Sequence, residues 1–145
     1  MKKAVIINTD GVKELVEFDN DTSYKTISTA VGGLIECINL PRSHAIEMWV
    51  NEEGKLNGLE QNPIATALWI DNYGETDVTV GNVIITGGTD GAGYTLGLND
   101  DQLAFVMGYD KSHRIENLNI DDYTGFTLSV LNHETGEWEI QEFKG

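Results

Sequence analysis

Apolar and polar positions change their period several times along this chain, and each change marks an element. KAVIINT is a β-branched run that predicts a strand, and Thr9-Asp10-Gly11 is a turn signal. VKELVEF alternates imperfectly around Val12, Glu14 and Val16, so residues 3–18 are expected to form a hairpin. DTSYKTISTAVGG has a helical period: Tyr24, Ile27 and Val31 stand at i, i+3 and i+7 as one apolar stripe. Asp21 or Thr22 can cap its start, and Gly32-Gly33 supply a left-handed stop. LIECINL, ended by Pro41, and AIEMWV, ended by the NEEG turn, read as two further strands.

Asn62-Pro63 is the clearest helix start in the chain. A proline at the first helical position needs no N–H, and Asn62 can cap the amides that follow. PIATALWI is apolar on every side, which predicts a short buried helix closed by Asn72-Tyr73-Gly74. DVTVGNVIITGG reads as a central strand with Gly81 inside it, at a bulge or a close backbone approach. After a glycine-rich loop, Asn99 or Asp100 starts another helix, and FTLSVLNHETGEWEIQEF closes the chain as a hairpin turning at His133 to Gly136. The β-β-α-β-β order predicts an α+β fold: a mixed or antiparallel sheet, helices packed on one face, and a C-terminal β-hairpin. At 145 residues the chain is expected to be one domain, with a core over residues 1–86 and residues 87–145 as an extension of it.

Composition narrows the function classes. Twenty-four acidic against nine basic residues leave a net charge of −15, and eleven of those carboxylates fall after residue 89. Phosphate-backbone contact needs clustered Lys and Arg, so direct nucleic-acid binding is not expected. An acidic surface suits a partner with a basic face, or serves solubility. Apolar runs are too short for a membrane span, and the first residues do not form a signal peptide. One cysteine, Cys37, points to a reducing compartment, hence the cytoplasm.

Candidate chemistry is sparse. Glu52 and Glu53 are neighbours in a turn and point apart, whereas paired catalytic carboxylates face each other across a substrate. TGGTDGAGYTLG lacks the Lys of a phosphate loop, and Leu96 takes the place of the last glycine of a dinucleotide motif; it reads as a connecting loop or a backbone nest for a small ligand. His44, His113 and His133 are scattered, and no metal or cofactor is expected. Asp100-Asp101 and Asp121-Asp122 do not match a calcium loop and read as helix-capping or surface carboxylates. His113-Arg114 with Lys111 forms a small cationic cluster in an acidic third. No nucleophile elbow occurs.

GGLIECINLP, VNEEGKLNGLEQNPIATALW and DVTVGNVIITG together resemble the DUF3846 domain, a family of unknown function found largely in phages and mobile elements of bacteria. The resemblance runs from Lys2 to Thr86 and rests on Gly33, Glu36, Asn51, Glu53, Gly54, Asn62, Pro63, Ala65 and Gly81. It implies no catalytic residue. Most of these positions have a backbone explanation, but Glu36 is a carboxylate inside a strand, and beside Asn51 and Asn62 it would line a polar pocket. The expectation is a small, acidic, non-enzymatic binding protein acting on a host factor, as in counter-defence, or sequestering a small ligand. Its binding residues would come from Glu36, Asn51, Glu53, Asn62, Asp100, Asp101, Asp121 and Asp122. The alternatives are an acidic decoy that imitates nucleic acid to occupy a DNA- or RNA-binding protein, and an enzyme built on Glu36 with the two amides.

Overall fold

The computed structural model describes residues 1–110, 126–131 and 138–143. The first two strands, β1 (Lys2–Ile7) and β2 (Lys13–Phe18), pair as the expected hairpin, from Lys2↔Phe18 to Ile7↔Lys13. Helix α1 (Ser23–Val31) then carries the chain to β3 (Ile35–Leu40) and β4 (Ile46–Asn51), a second hairpin. Helix α2 (Pro63–Tyr73) leads to β5 (Val83–Thr86), which inserts between β1 and β4. The result is one five-stranded sheet in the order β2-β1-β5-β4-β3, antiparallel at every pairing. A short ribbon, β6 (Gly88–Thr89) with β7 (Thr95–Leu96), precedes α3 (Asp100–Gly108). Strands β8 (Phe126–Leu131) and β9 (Trp138–Phe143) pair antiparallel as the C-terminal hairpin, whose expected turn at His133 to Gly136 lies outside the described residues.

Both faces of the sheet are covered. Ala4, Phe18 and Ile84 pack with Ile27 and Val31 of α1, while Val5, Ile7, Met48 and Ile85 pack with α2 and α3. Alternate residues of a strand point to opposite faces, so a central strand buried on both must be apolar throughout. Strand β5, VIIT, is fully buried. The expectation of helices on one face therefore holds for α1 alone. Its cause is visible in β2, where Leu15 serves one core cluster and Phe18 the other, which spoils the alternation.

Local signals are refined in three places. The turn ahead of α1 is held by Asp19, whose carboxylate accepts from the N–H of Asp21 and of Thr22; Thr22 stands at the N-cap, and neither it nor Asp21 supplies a side-chain cap. Tyr24 is 64% exposed, and the buried stripe of α1 is Ile27 and Val31 with Ala30 beside them. Strand β5 starts after Gly81 rather than running through it: before it, Val80 makes a single bridge to Gln61. Gly81 itself has φ +76°, and a Cβ there would stand 2.9 Å from Leu59, so this is a close approach.

Candidate functional site

Strand β3 is an outer strand of the sheet, and a groove of about 540 Å³ runs beside it. Its floor includes Ile38 of β3 and Val50 of β4, and its far wall is Trp69 and Tyr73 of α2 with Val78 beyond the helix. Trp69 and Tyr73 lie four apart, hence on one face of α2. Their rings tilt against each other at 4.6 Å. The Trp69 indole N–H donates to Thr76 Oγ1 at 3.0 Å, and the Tyr73 hydroxyl donates to the Asn39 carbonyl. Both aromatic side chains are thereby held in place. The expectation of a helix buried all round is corrected here: Ala65, Ala67 and Leu68 are buried, but α2 turns Trp69 and Tyr73 toward the groove.

The rim is acidic. Glu36 and Glu52 line it with no salt-bridge partner among the described residues, whereas Asp77 is paired with Lys55. The hydrogen bond from Lys55, helped by the Val78 N–H, holds the Asp77 carboxyl below the usual carboxylate range.

Glu36 and Asn51 do border one groove, as the sequence suggested, but Asn62 does not join them. Asn62 is fully buried under α2: its Oδ1 accepts from Ala65 N–H at 3.1 Å, and its Nδ2 donates to the carbonyls of Ile7 (2.9 Å) and Gly81 (3.0 Å). One side chain thus caps α2 and ties it to the end of β1. Asn51 is also committed internally, accepting from the Glu53 N–H at 2.8 Å and donating to the Val31 carbonyl at 3.2 Å. Glu53 contributes that amide, and its carboxylate is outside the groove lining. Asp100 and Asp101 occupy the exposed first turn of α3, behind a capping box of Asn99 and Gln102. Asp121 and Asp122, like Lys111, His113, Arg114 and His133, lie outside the described residues.

The glycine-rich loop offers no free nest. Asp90 accepts from the N–H groups of Ala92 (2.9 Å) and Tyr94 (3.0 Å), so the protein's own carboxylate takes the place of an anion. Gly97 serves packing: a Cβ there would stand 2.8 Å from the Lys3 nitrogen, where Leu98 N–H bonds the Lys3 carbonyl. Cys37, on the α1 side of the sheet, points its thiol at Glu47, which also accepts from Thr89. Partial burial, with the Glu47 carboxylate beside it, pushes the Cys37 thiol up to about 12. A thiol so held stays protonated and is a poor nucleophile. His44 packs its ring on Phe105 at 4.6 Å. Among the described residues no three His, Cys, Asp or Glu side chains converge to hold a metal, and no helix is long and apolar enough to cross a membrane.

Sequence reading missed Trp69, Tyr73, Lys55 and Asp77 as groove residues. The i, i+4 aromatic pair was a usable signal; the Lys55–Asp77 pair, 22 residues apart, was not.

The geometry defines a class: a small α+β domain with a fully antiparallel sheet, helices on both faces, and an aromatic-walled groove along one edge. A family profile described as a domain of unknown function, DUF3846, matches residues 1–111, and the chain belongs to that family. The match extends past Thr86 through α3, whose Val106 and Met107 join the larger core cluster without carrying any motif. No curated protein and no solved structure matches the chain.

Proposed function

We propose that this chain is a non-enzymatic binding protein, of phage or mobile-element origin and working in the host cytoplasm, whose groove beside β3 holds a ligand or a segment of a host factor. The observation that carries this reading is the pre-set aromatic wall. Trp69 and Tyr73 are each fixed by a hydrogen bond, so an occupant would not have to order them. The groove's volume is within the usual range for ligand sites, and its lining mixes the aromatic wall and Ile38, Val50, Val78 and Val80 with an equal share of charged and amide side chains. A catalytic reading has less support: the rim carboxylates have no partnered nucleophile in the groove among the described residues, and the thiol nearby is held protonated. The decoy reading rests on charge alone. Asp100 and Asp101 already have a local role at the α3 N-terminus.

The test is native mass spectrometry of the protein recovered from its own cells, at low and at high salt, for the wild type and for Trp69→Ala/Tyr73→Ala. A retained small molecule or protein that the double variant loses is the expected result. Identical retention by both forms would remove the groove from the function.

A further inference from the structure

Four consecutive residues of one strand, Glu36, Cys37, Ile38 and Asn39, border the same groove. Side chains of neighbouring strand residues point to opposite faces of a sheet. Backbone atoms of β3 therefore border the groove beside its side chains, and since β3 is the outer strand of the sheet its free edge adjoins the groove.

The register fixes which backbone groups those are. Glu52 N–H donates to the Leu34 carbonyl, and Ile35 stands opposite Asn51. In an antiparallel ladder, mutually bonded pairs alternate with pairs that turn their N–H and C=O outward. Glu36↔Val50 and Ile38↔Met48 are then bonded inward, so Ile35, Cys37 and Asn39 present their backbone to the open edge. Tyr73 already occupies the Asn39 carbonyl. That contact closes one end of the edge and leaves Ile35 and Cys37 with no outward backbone partner among the described residues.

Exposed edges are commonly guarded by lysine, proline or a bulge. Strand β3, IECINL, is paired without a break from Ile35 to Leu40 and contains none of these. Its one charge is Glu36, and Glu52 stands on the same rim. A second copy would bring the same carboxylates against themselves, in a chain of net charge −15. A cationic strand is attracted to Glu36 and Glu52, and the lysine that lines the groove, Lys55, is already paired with Asp77.

We propose that the outer edge of β3 takes an extended, Lys- or Arg-bearing segment of a partner protein as a sixth strand. Its backbone pairs with Ile35 and Cys37; one basic side chain faces Glu36 and Glu52, and an apolar one, two residues away on the same face, meets Trp69 and Tyr73. The proposal rests on the groove being the binding site and deepens it to a partner class. Main-chain pairing supplies affinity in this mode, and alternate side chains supply specificity.

The test uses the full chain and four probes: the heptapeptide Thr-Val-Thr-Lys-Thr-Val-Thr (the Lys–Val peptide), which sets Lys and Val two residues apart on one face, the same peptide N-methylated on alternate amides, its counterpart with Glu in place of Lys (the Glu–Val peptide), and spermidine. Binding is followed by fluorescence anisotropy at low salt, spermidine by competition, and the contact is placed by amide chemical shifts and hydrogen exchange. The Lys–Val peptide is expected to saturate, to slow exchange at the Ile35 and Cys37 amides, and to bind about tenfold more weakly to Glu36→Gln/Glu52→Gln, as two exposed ion pairs allow. N-methylation is expected to abolish binding, and the Glu–Val peptide to show none. Equal binding of the N-methylated peptide, or competition by spermidine with no change at Ile35 and Cys37, would overturn strand addition while leaving the groove as a ligand site. Concentration-dependent dimerisation protecting the same two amides would overturn it in favour of a second copy. Absence of binding by any probe would overturn the cationic-strand proposal alone, because the groove-dependent retention test above stands independently of these peptides.

Discussion

Lys13 carries its ammonium inside the protein, 7% exposed, donating to the carbonyls of Met107 (3.1 Å) and Tyr109 at the end of α3. Burial lowers its pKa from 10.5 to about 8, and the nearby Asp110 offsets only part of that. Between those two values the unfolded chain binds more protons at this site than the folded one, so stability rises with pH across that window. A shift of this size corresponds to about 3 kcal/mol, charged burial costing that much at neutral pH and nothing once the amine is neutral in both states. Urea melts from pH 7.5 to 10.5 are expected to show this rise in the wild type and a flatter profile in Lys13→Met. Parallel profiles would mean that the ammonium is effectively solvated. From the sequence, VKELVEF gave no sign of a buried lysine. Period alone says which residues share a face, and only the approach of α3 decides that this face is covered.

At the scale of elements, punctuation was legible and packing was not. The first hairpin, the left-handed stop of α1 at Gly32 and the start of α2 at Asn62-Pro63 all stand as read, because each depends on a few adjacent residues. Tyr24 and the start of β5 did not, because exposure and strand pairing depend on distant partners. Asn62 shows the difference within one residue. Its cap on Ala65 was readable, whereas its bonds to Ile7 and Gly81 join α2 to chain segments 55 and 19 residues away. Asn62→Ala is therefore expected to cost about 2–4 kcal/mol in denaturant melts, more than a cap alone, since two buried carbonyls also lose a donor. A loss near 1 kcal/mol would show that the two carbonyl bonds contribute little.

On the scale of the whole molecule, net −15 sets how partners arrive more than where they bind. Exposed charges beyond a Debye length of about 8 Å are screened at physiological salt, so carboxylates at the contact govern association. Asp100 and Asp101 lie on α3, and neither lines the β3 groove. Asp100→Asn/Asp101→Asn is expected to cost about 0.6–2 kcal/mol through lost helix-end electrostatics. It should leave the association rate of the Lys–Val peptide nearly unchanged at 0.15 M salt. Stopped-flow mixing checks this, and a fall as large as that of Glu36→Gln/Glu52→Gln would place the contact on α3 instead.

By itself the sequence determined the α+β class, the order of β1 to β5 with α1, α2 and α3 (though not the β6–β7 ribbon within the glycine-rich loop) and the family, since these follow from hydrophobic period, turn chemistry and spacing along the chain. It offered Glu36 beside Asn51 and Asn62 only as a condition, and the pairing of β3 with β4 brought Glu36 and Asn51 to one groove while leaving Asn62 out. Tertiary structure alone decided that helices cover both faces, that β3 is left at an edge, and that α2 sets Trp69 and Tyr73 along it. Those outcomes depend on which strands pair across the sheet. The insertion of β5 between β1 and β4 joins two hairpins that local signals describe separately, and no nearest-neighbour preference encodes that contact.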